Sequence, residues 1–255
     1  MKPNAPLIDR ADEPYIFAHR GASGYEVENT IPAFKKAVSM SAGIETDVQL
    51  TKDNKLVCFH DPTIKIEEKY YLIKNFTLKE FRAIKIEDSR SIPLVKEVFD
   101  IFKDAPNTLR YSFDIIDKKS GLELLNLAQK ASLVKNIEIT DRRLVLLSAL
   151  RRKNELSNLV YTLTETITSI NRKTVNLDKL RTLQIGVINI RRRRHIEELF
   201  REIIDHGFKC YIWGVNTKTN MKRIVRMRYK DEIVNAIYTD YPDILNKILN
   251  KRINN

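Results

Sequence analysis

Residues 15–50, YIFAHRGASGYEVENTIPAFKKAVSMSAGIETDVQL, read as strand, helix and strand in that order. Tyr15–Ala18 (YIFA) is an apolar run ended by a His-Arg-Gly turn. Thr30–Met40 spaces its apolar residues as a helix does, with Asn29 or Thr30 as the cap and Pro32 in the first turn. Gly43–Leu50 (GIETDVQL) alternates with the period of a strand. Strands that alternate with helices imply a parallel sheet.

The same alternation continues to the C-terminus. Lys55–Phe59 is a short strand, read as an excursion from the second one, and Leu78–Ile84 and Leu94–Phe102 have helical spacing. Strand Leu109–Ile116 precedes helix Gly121–Ala131; a strand around Asn136–Thr140 precedes helix Arg142–Arg152; Asn158–Leu163 is extended. Strand Ile185–Ile190 is followed by helix Ile196–Asp205, closed by Gly207 in the left-handed cap position. Strand Phe208–Val215, helix Met221–Met227, strand Asn235–Thr239 and helix Asp243–Leu249 complete the chain. Eight such units in 255 residues imply an α/β fold of the (β/α)8 TIM-barrel type, a single domain over residues 1–255 with 1–13 as an irregular extension. A doubly wound open sheet is the competing architecture, but no Gly-rich phosphate loop follows the first strand.

Composition removes other classes. With 43% hydrophobic and 31% charged residues the chain is globular, and seven Gly and eight Pro are too few for a collagen-like or low-complexity protein. Uncharged stretches such as Leu156–Thr164 and Thr182–Ile190 reach about half of the ~20 residues of a membrane span. The opening MKPNAPLIDRADEP has no apolar signal-peptide core, so a cytoplasmic protein is expected, with at most peripheral membrane contact. Cys58 and Cys210 lie in apolar runs and read as two buried free thiols of a reducing compartment; a disulfide is the alternative. Forty-five Lys and Arg against 33 Asp and Glu give a net charge of +12, which favours phosphate-bearing substrates, anionic lipid surfaces or nucleic acid without choosing among them.

Barrels of this type gather their reacting groups at the C-terminal ends of the strands. His19 and Arg20 end the first strand, His60 and Asp61 end the excursion, and Asp114 lies two residues before the end of LRYSFDII. Glu45 and Asp47, two apart on one strand, face the same side. A single strand-end histidine is commonly structural. Two acids facing one interior are different, because each unpaired charge costs several kcal/mol to desolvate. A divalent cation removes that cost, and an all-oxygen set suits Mg2+ or Ca2+ rather than Zn2+.

These residues also carry a family resemblance. The run HRGASGYEVENTIPAF, then GIETDVQLTKDNKLVCFHD, resembles the signature of the glycerophosphodiester phosphodiesterase family: HRG, ENT at a helix start, E-x-D and HD. IPLVKEVFD, the Asp114 strand, YIWGVN at 211–216 and YTDYPDIL are weaker matches, the last three closest to the lysophospholipase D branch. The resemblance implies a metal-dependent phosphodiesterase acting on glycerophosphodiesters or lysophospholipids. It makes His19 and His60 the acid/base pair, Arg20 the phosphate ligand, and Glu45, Asp47 and Asp114 the ligands of one divalent cation. Trp213 matches an aromatic lining the substrate site, and Glu28 and Asn29 organise the first loop. Which histidine is the acid stays open, as does the choice of metal.

Two departures bear on activity. Where the family commonly has a lysine two residues after the third acid, this chain has Ile116, with Lys118 the nearest loop cation; the usual Pro before ENT is Val27. The run Arg191–Arg194 follows the sixth strand on the side of the chemistry, disfavoured at a helix start and suited to anionic headgroups at a membrane surface. Nucleic acid is not the expected partner. The competing reading is a catalytically weakened barrel that binds anionic lipid or nucleic acid, which leaves the histidines and paired acids unexplained.

Overall fold

The apolar runs separate into two sets once the chain is folded: those that form a closed wall and those that cover it. A computed structural model describes residues 12–86 and 90–253. Eight strands run in parallel: β1 (Tyr15–Ala18), β2 (Gly43–Leu50), β3 (Tyr111–Ile115), β4 (Ile137–Asp141), β5 (Asn158–Thr162), β6 (Val187–Arg191), β7 (Lys209–Trp213) and β8 (Ala236–Thr239). Each pairs with the next, and β1 pairs with both β2 and β8, so the sheet closes into a barrel with no open edge among these strands. The architecture is the expected TIM barrel. Of the expected N-terminal extension, residues 1–11 lie outside the described residues.

Alternation along each strand divides its side chains between two interiors. Tyr15, Phe17, Val160, Tyr211, Ala236 and Tyr238 point inward and fill the barrel, with Phe17 stacked on Tyr238 at 4.9 Å between centroids. Ile16, Ala18, Ile44, Ile188 and Ile212 point outward and meet the helices. Arg110 plugs the N-terminal end, its guanidinium 4.3 Å from the Tyr15 ring centroid and ion-paired with Glu138. Arg110, Glu138 and the Tyr211 hydroxyl are joined by hydrogen bonds at the N-terminal end, and the inward acids of β2 and β3 lie toward the C-terminal mouth. Cys58 and Cys210 are buried and free, on different strands.

Some elements differ from the sequence expectation, for local reasons. The helix expected over Met221–Met227 spans Lys218–Val225, because Thr217 caps it by accepting the N–H of Asn220. The helix expected from Gly121 starts at Lys118, because Asp117 accepts the N–H of Ser120 at 2.8 Å. Two hairpins went unread: Thr63–Ile66 with Lys69–Leu72, and Arg228–Tyr229 with Glu232–Ile233. Their turns, Glu67–Glu68 and Lys230–Asp231, hold both residues at positive φ without the glycine or asparagine that usually announces it. A short helix, Leu177–Thr182, fills the β5–β6 connection. No helix among the described residues is long and apolar enough to cross a membrane.

Candidate active site

Strand β2 is longer than its neighbours, and its inward positions carry acids. Asp47 is the register partner of Asp114 on β3, so two carboxylates meet side by side across one ladder, with Glu45 one inward position below. One oxygen from each of Glu45, Asp47 and Asp114 lies within 4.8 Å of the others. Glu45 is buried and accepts the backbone N–H of Arg20 at 2.6 Å. Burial, then the charges on Asp47 and Asp114, push the Glu45 carboxyl well above its ordinary range. Protein packed around it, then Asp47 and Asp141, push Asp114 up to about 8, although this residue opens to solvent at the mouth. Three acids this close resist joint ionisation without a cation among them. Their oxygens suit a hard divalent ion.

Neighbouring side chains aim the trio. Thr140 on β4 donates to Asp114. Asn29 donates to Asp47 at 3.2 Å and accepts the Thr46 hydroxyl at 2.6 Å, so it fixes the carboxylate from behind. The first loop follows from two left-handed residues, Arg20 at φ 55° and Gly21 at φ 77°. A Cβ on Gly21 would stand 2.7 Å from that of Ala33 and 2.8 Å from its carbonyl carbon, so only glycine lets the turn pack on the helix Ile31–Ser39. That turn folds Arg20 back over the acids. Its Nη1 donates to Glu28 at 2.8 Å, while its Nε lies 3.2 Å from Asp47 but is buried without an aligned hydrogen bond.

Both histidines sit at this mouth. His19 follows β1 directly and precedes Arg20 in the chain; its Nδ1 lies 2.8 Å from Asp240 Oδ1. His60 is carried by the excursion after β2, anchored where Phe59 N–H donates to the Asp47 carbonyl, and its Nδ1 lies 2.8 Å from Asp61 Oδ1. In each, the carboxylate takes Nδ1–H, and Nε2 has no hydrogen-bond partner among the described residues. His60 and Asp114 line one cavity of about 490 Å3, with Ile116, Thr140, Arg142, Arg143 and Thr162 among the other walls.

Other expected residues are placed differently. Trp213 ends β7 on another part of the mouth and does not line that cavity; its buried indole N–H has no partner among the described residues, and the Arg191 guanidinium lies 5.0 Å from its ring centroid. Lys118 opens a helix and is also absent from the cavity wall. The run Arg191–Arg194 is not uniform: Arg191 pairs with Glu165 at 2.7 Å and Arg193 donates to the Glu165 carbonyl at 2.8 Å, leaving Arg192 and Arg194 exposed. Glu197 and Glu198 in the first turn of the following helix offset the unfavourable cations.

Sequence reading assigned no role to Asp240 or Asn216. Asn216 donates to Asp240 Oδ2 and accepts the Asp240 N–H at 3.0 Å, so it holds the acid that holds His19. The signal was present: YTD at the end of β8 puts an acid at a strand's C-terminal end, as Asp114 stands near the end of β3.

Comparison with known proteins gives a consistent result. The profile of the glycerophosphoryl diester phosphodiesterase family matches residues 19–244. A glycerophosphodiester phosphodiesterase of Caldanaerobacter subterraneus is 29% identical over 92% of this chain and 98% of its own. A lysophospholipase D of Mus musculus is 27% identical over 91% of this chain and 85% of its own, so likeness to that branch does not exceed likeness to the bacterial enzymes. The crystal structure of the Thermotoga maritima glycerophosphodiester phosphodiesterase superposes with TM-score 0.72 at 22% identity, covering 92% of this chain and 98% of that one. An Oleispira antarctica phosphodiesterase in complex with the product sn-glycerol-3-phosphate gives TM-score 0.74 at 17% identity, over 93% of this chain and 97% of that one.

Proposed function

The chain belongs to the glycerophosphoryl diester phosphodiesterase family, and from that membership we propose that it cleaves glycerophosphodiesters, or lysophospholipids of the same backbone, at this mouth. It is a hydrolase of that family. The observation that carries the reading is the meeting of a three-carboxylate cluster with two carboxylate-oriented imidazoles at one end of the barrel.

Glu45, Asp47 and Asp114 would hold the divalent ion, which supplies charge neutralisation and polarisation of the phosphorus when bound. Arg20, its plane held by Glu28 and Asp47 beside the acids, would meet a non-bridging phosphate oxygen with its guanidinium. One imidazole takes a proton at Nε2 from the attacking oxygen, either water or a neighbouring substrate hydroxyl. The other, protonated, gives one to the leaving alkoxide. Asp240 and Asp61 keep the two rings in the tautomer that leaves Nε2 at the reaction. Trp213 offers an apolar face to the alcohol part of the substrate. Arg192 and Arg194, exposed after β6, provide a peripheral contact for anionic headgroups. Two buried free thiols suit a reducing setting such as the cytoplasm.

A panel of glycerophosphodiesters and lysophospholipids, each assayed with Mg2+ and with Ca2+, tests the reading. Hydrolysis of at least one member is expected, lost reversibly with EDTA and abolished in folded His19→Ala and His60→Ala variants. Undiminished turnover by either variant in EDTA would refute it. Vesicle or RNA binding without hydrolysis would favour the weakened binding barrel instead.

A further inference from the structure

The cavity shared by His60 and Asp114 has a cationic wall, the turn after β4, in which two adjacent arginines have opposite fates. Arg143 is committed. Its Nε and Nη2 meet the two oxygens of Asp141 at 2.9 and 2.5 Å, and its Nη2 also donates to the Ile115 carbonyl at 3.2 Å. Arg142 has no hydrogen bond or ion pair among the described residues, and its side chain stands exposed.

That freedom is built into the local geometry. Asp141 accepts the backbone N–H of Arg143 at 2.6 Å, closing a tight turn of the Asx kind with Arg142 between them. The Arg143 bond to Ile115 clamps this turn onto the end of β3, beside Asp114. The nearby acid is therefore satisfied by Arg143, and Arg142 is presented at the cavity with its charge uncompensated. The adjoining wall, Ile115 and Ile116, is apolar and adds no cation. Arg20, the guanidinium nearest the acids, is already shared between Glu28 and Asp47.

We infer that Arg142 is a substrate-binding residue whose guanidinium takes an oxygen of the phosphate from the His60 side of the cavity. The anion contact itself needs only the cavity and the free cation; its role in turnover rests on the phosphodiesterase reading above. Negative charge grows on the phosphoryl oxygens as the attacking oxygen bonds to phosphorus, and a planar two-pronged donor suits them. Arg142 would then carry the charge that the Ile116 position does not.

The experiment compares wild type with Arg142→Ala, Arg142→Lys and the double variant Arg142→Ala/Ile116→Lys. Two readouts are taken: kcat/KM on the best glycerophosphodiester of the panel, and calorimetric affinity for inorganic phosphate at saturating divalent metal. Arg142→Ala should lower kcat/KM roughly a hundred-fold, the typical effect of removing one well-placed donor. It should weaken phosphate about ten-fold, with an unchanged melting temperature because Arg142 makes no internal bond. Arg142→Lys should recover part of both, and the Ile116→Lys addition should restore phosphate affinity by placing an ammonium on the neighbouring wall. Arg142→Ala matching wild type in both readouts overturns the inference. Should wild type hydrolyse no diester while phosphate affinity still depends on Arg142, the diester reading falls and the anion contact stands.

Discussion

Loading the acidic trio with metal should expel protons, and the number follows from the site. Asp114 is pushed up to about 8 by the protein packed around it and by Asp47 and Asp141, so it keeps hold of its proton more firmly than an ordinary carboxyl in the metal-free protein. Glu45 is raised too, by burial and the same neighbours. A divalent cation requires both as carboxylates, so binding at pH 7 should release at least about one proton per ion. Titrating Mg2+ or Ca2+ in two buffers of different ionisation enthalpy measures it. The same shift sets the stability of the metal-free protein. An acid raised on folding leaves the native state holding more protons than the unfolded one, so stability falls as pH rises from the unfolded carboxylate range to about 8. Water at the mouth screens Asp114, so the buried Glu45 carries most of this dependence. Thermal melts in EDTA should therefore show a midpoint that declines between pH 5 and about 8, and saturating metal should flatten the curve. Binding heats independent of buffer at pH 7 would refute the reasoning, because they would mean the trio is already ionised and feels no mutual repulsion.

Asp240→Asn should leave metal affinity intact and lower kcat by about 10²-fold or more, since an amide no longer enforces the His19 tautomer; wild-type kcat at all pH values would sink this assignment. Gly21→Ala should destabilise the fold by about 1–3 kcal/mol through positive φ and the collision with Ala33, read as a lower urea midpoint. Phe17→Ala empties the barrel centre where Phe17 meets Tyr15 and Tyr238, and should cost about 3–5 kcal/mol in denaturant unfolding without altering the cleavage products.

Much of the barrel was legible in the chain because its elements are set by local rules. β1, β2 and the helix Ile196–Asp205 lie where the period of apolar residues puts them. Helix starts at Lys118 and Lys218 were missed because a side-chain cap, not the apolar period, sets the first turn. The two hairpins were missed because Glu67–Glu68 and Lys230–Asp231 adopt left-handed backbone that their composition does not advertise. In the site, the alternation on β2 alone put Glu45 and Asp47 on one face, and strand ends marked His19, Arg20, His60 and Asp114 as mouth residues.

Spacing along the chain decides what each segment buries, so the eight-strand alternation and the acidic, imidazole-bearing strand ends were determined by the sequence alone. Pairing between distant segments decides which groups touch. Only closure of the barrel put Asp240, 221 positions from His19, within hydrogen-bonding distance of it. Only the folded turn after β4 spent Asp141 on Arg143 and left Arg142 free, because two arginines adjacent in sequence differ solely in where their side chains are led. The same holds for Arg191–Arg194, one uniform run in the chain and two kinds of arginine on the surface.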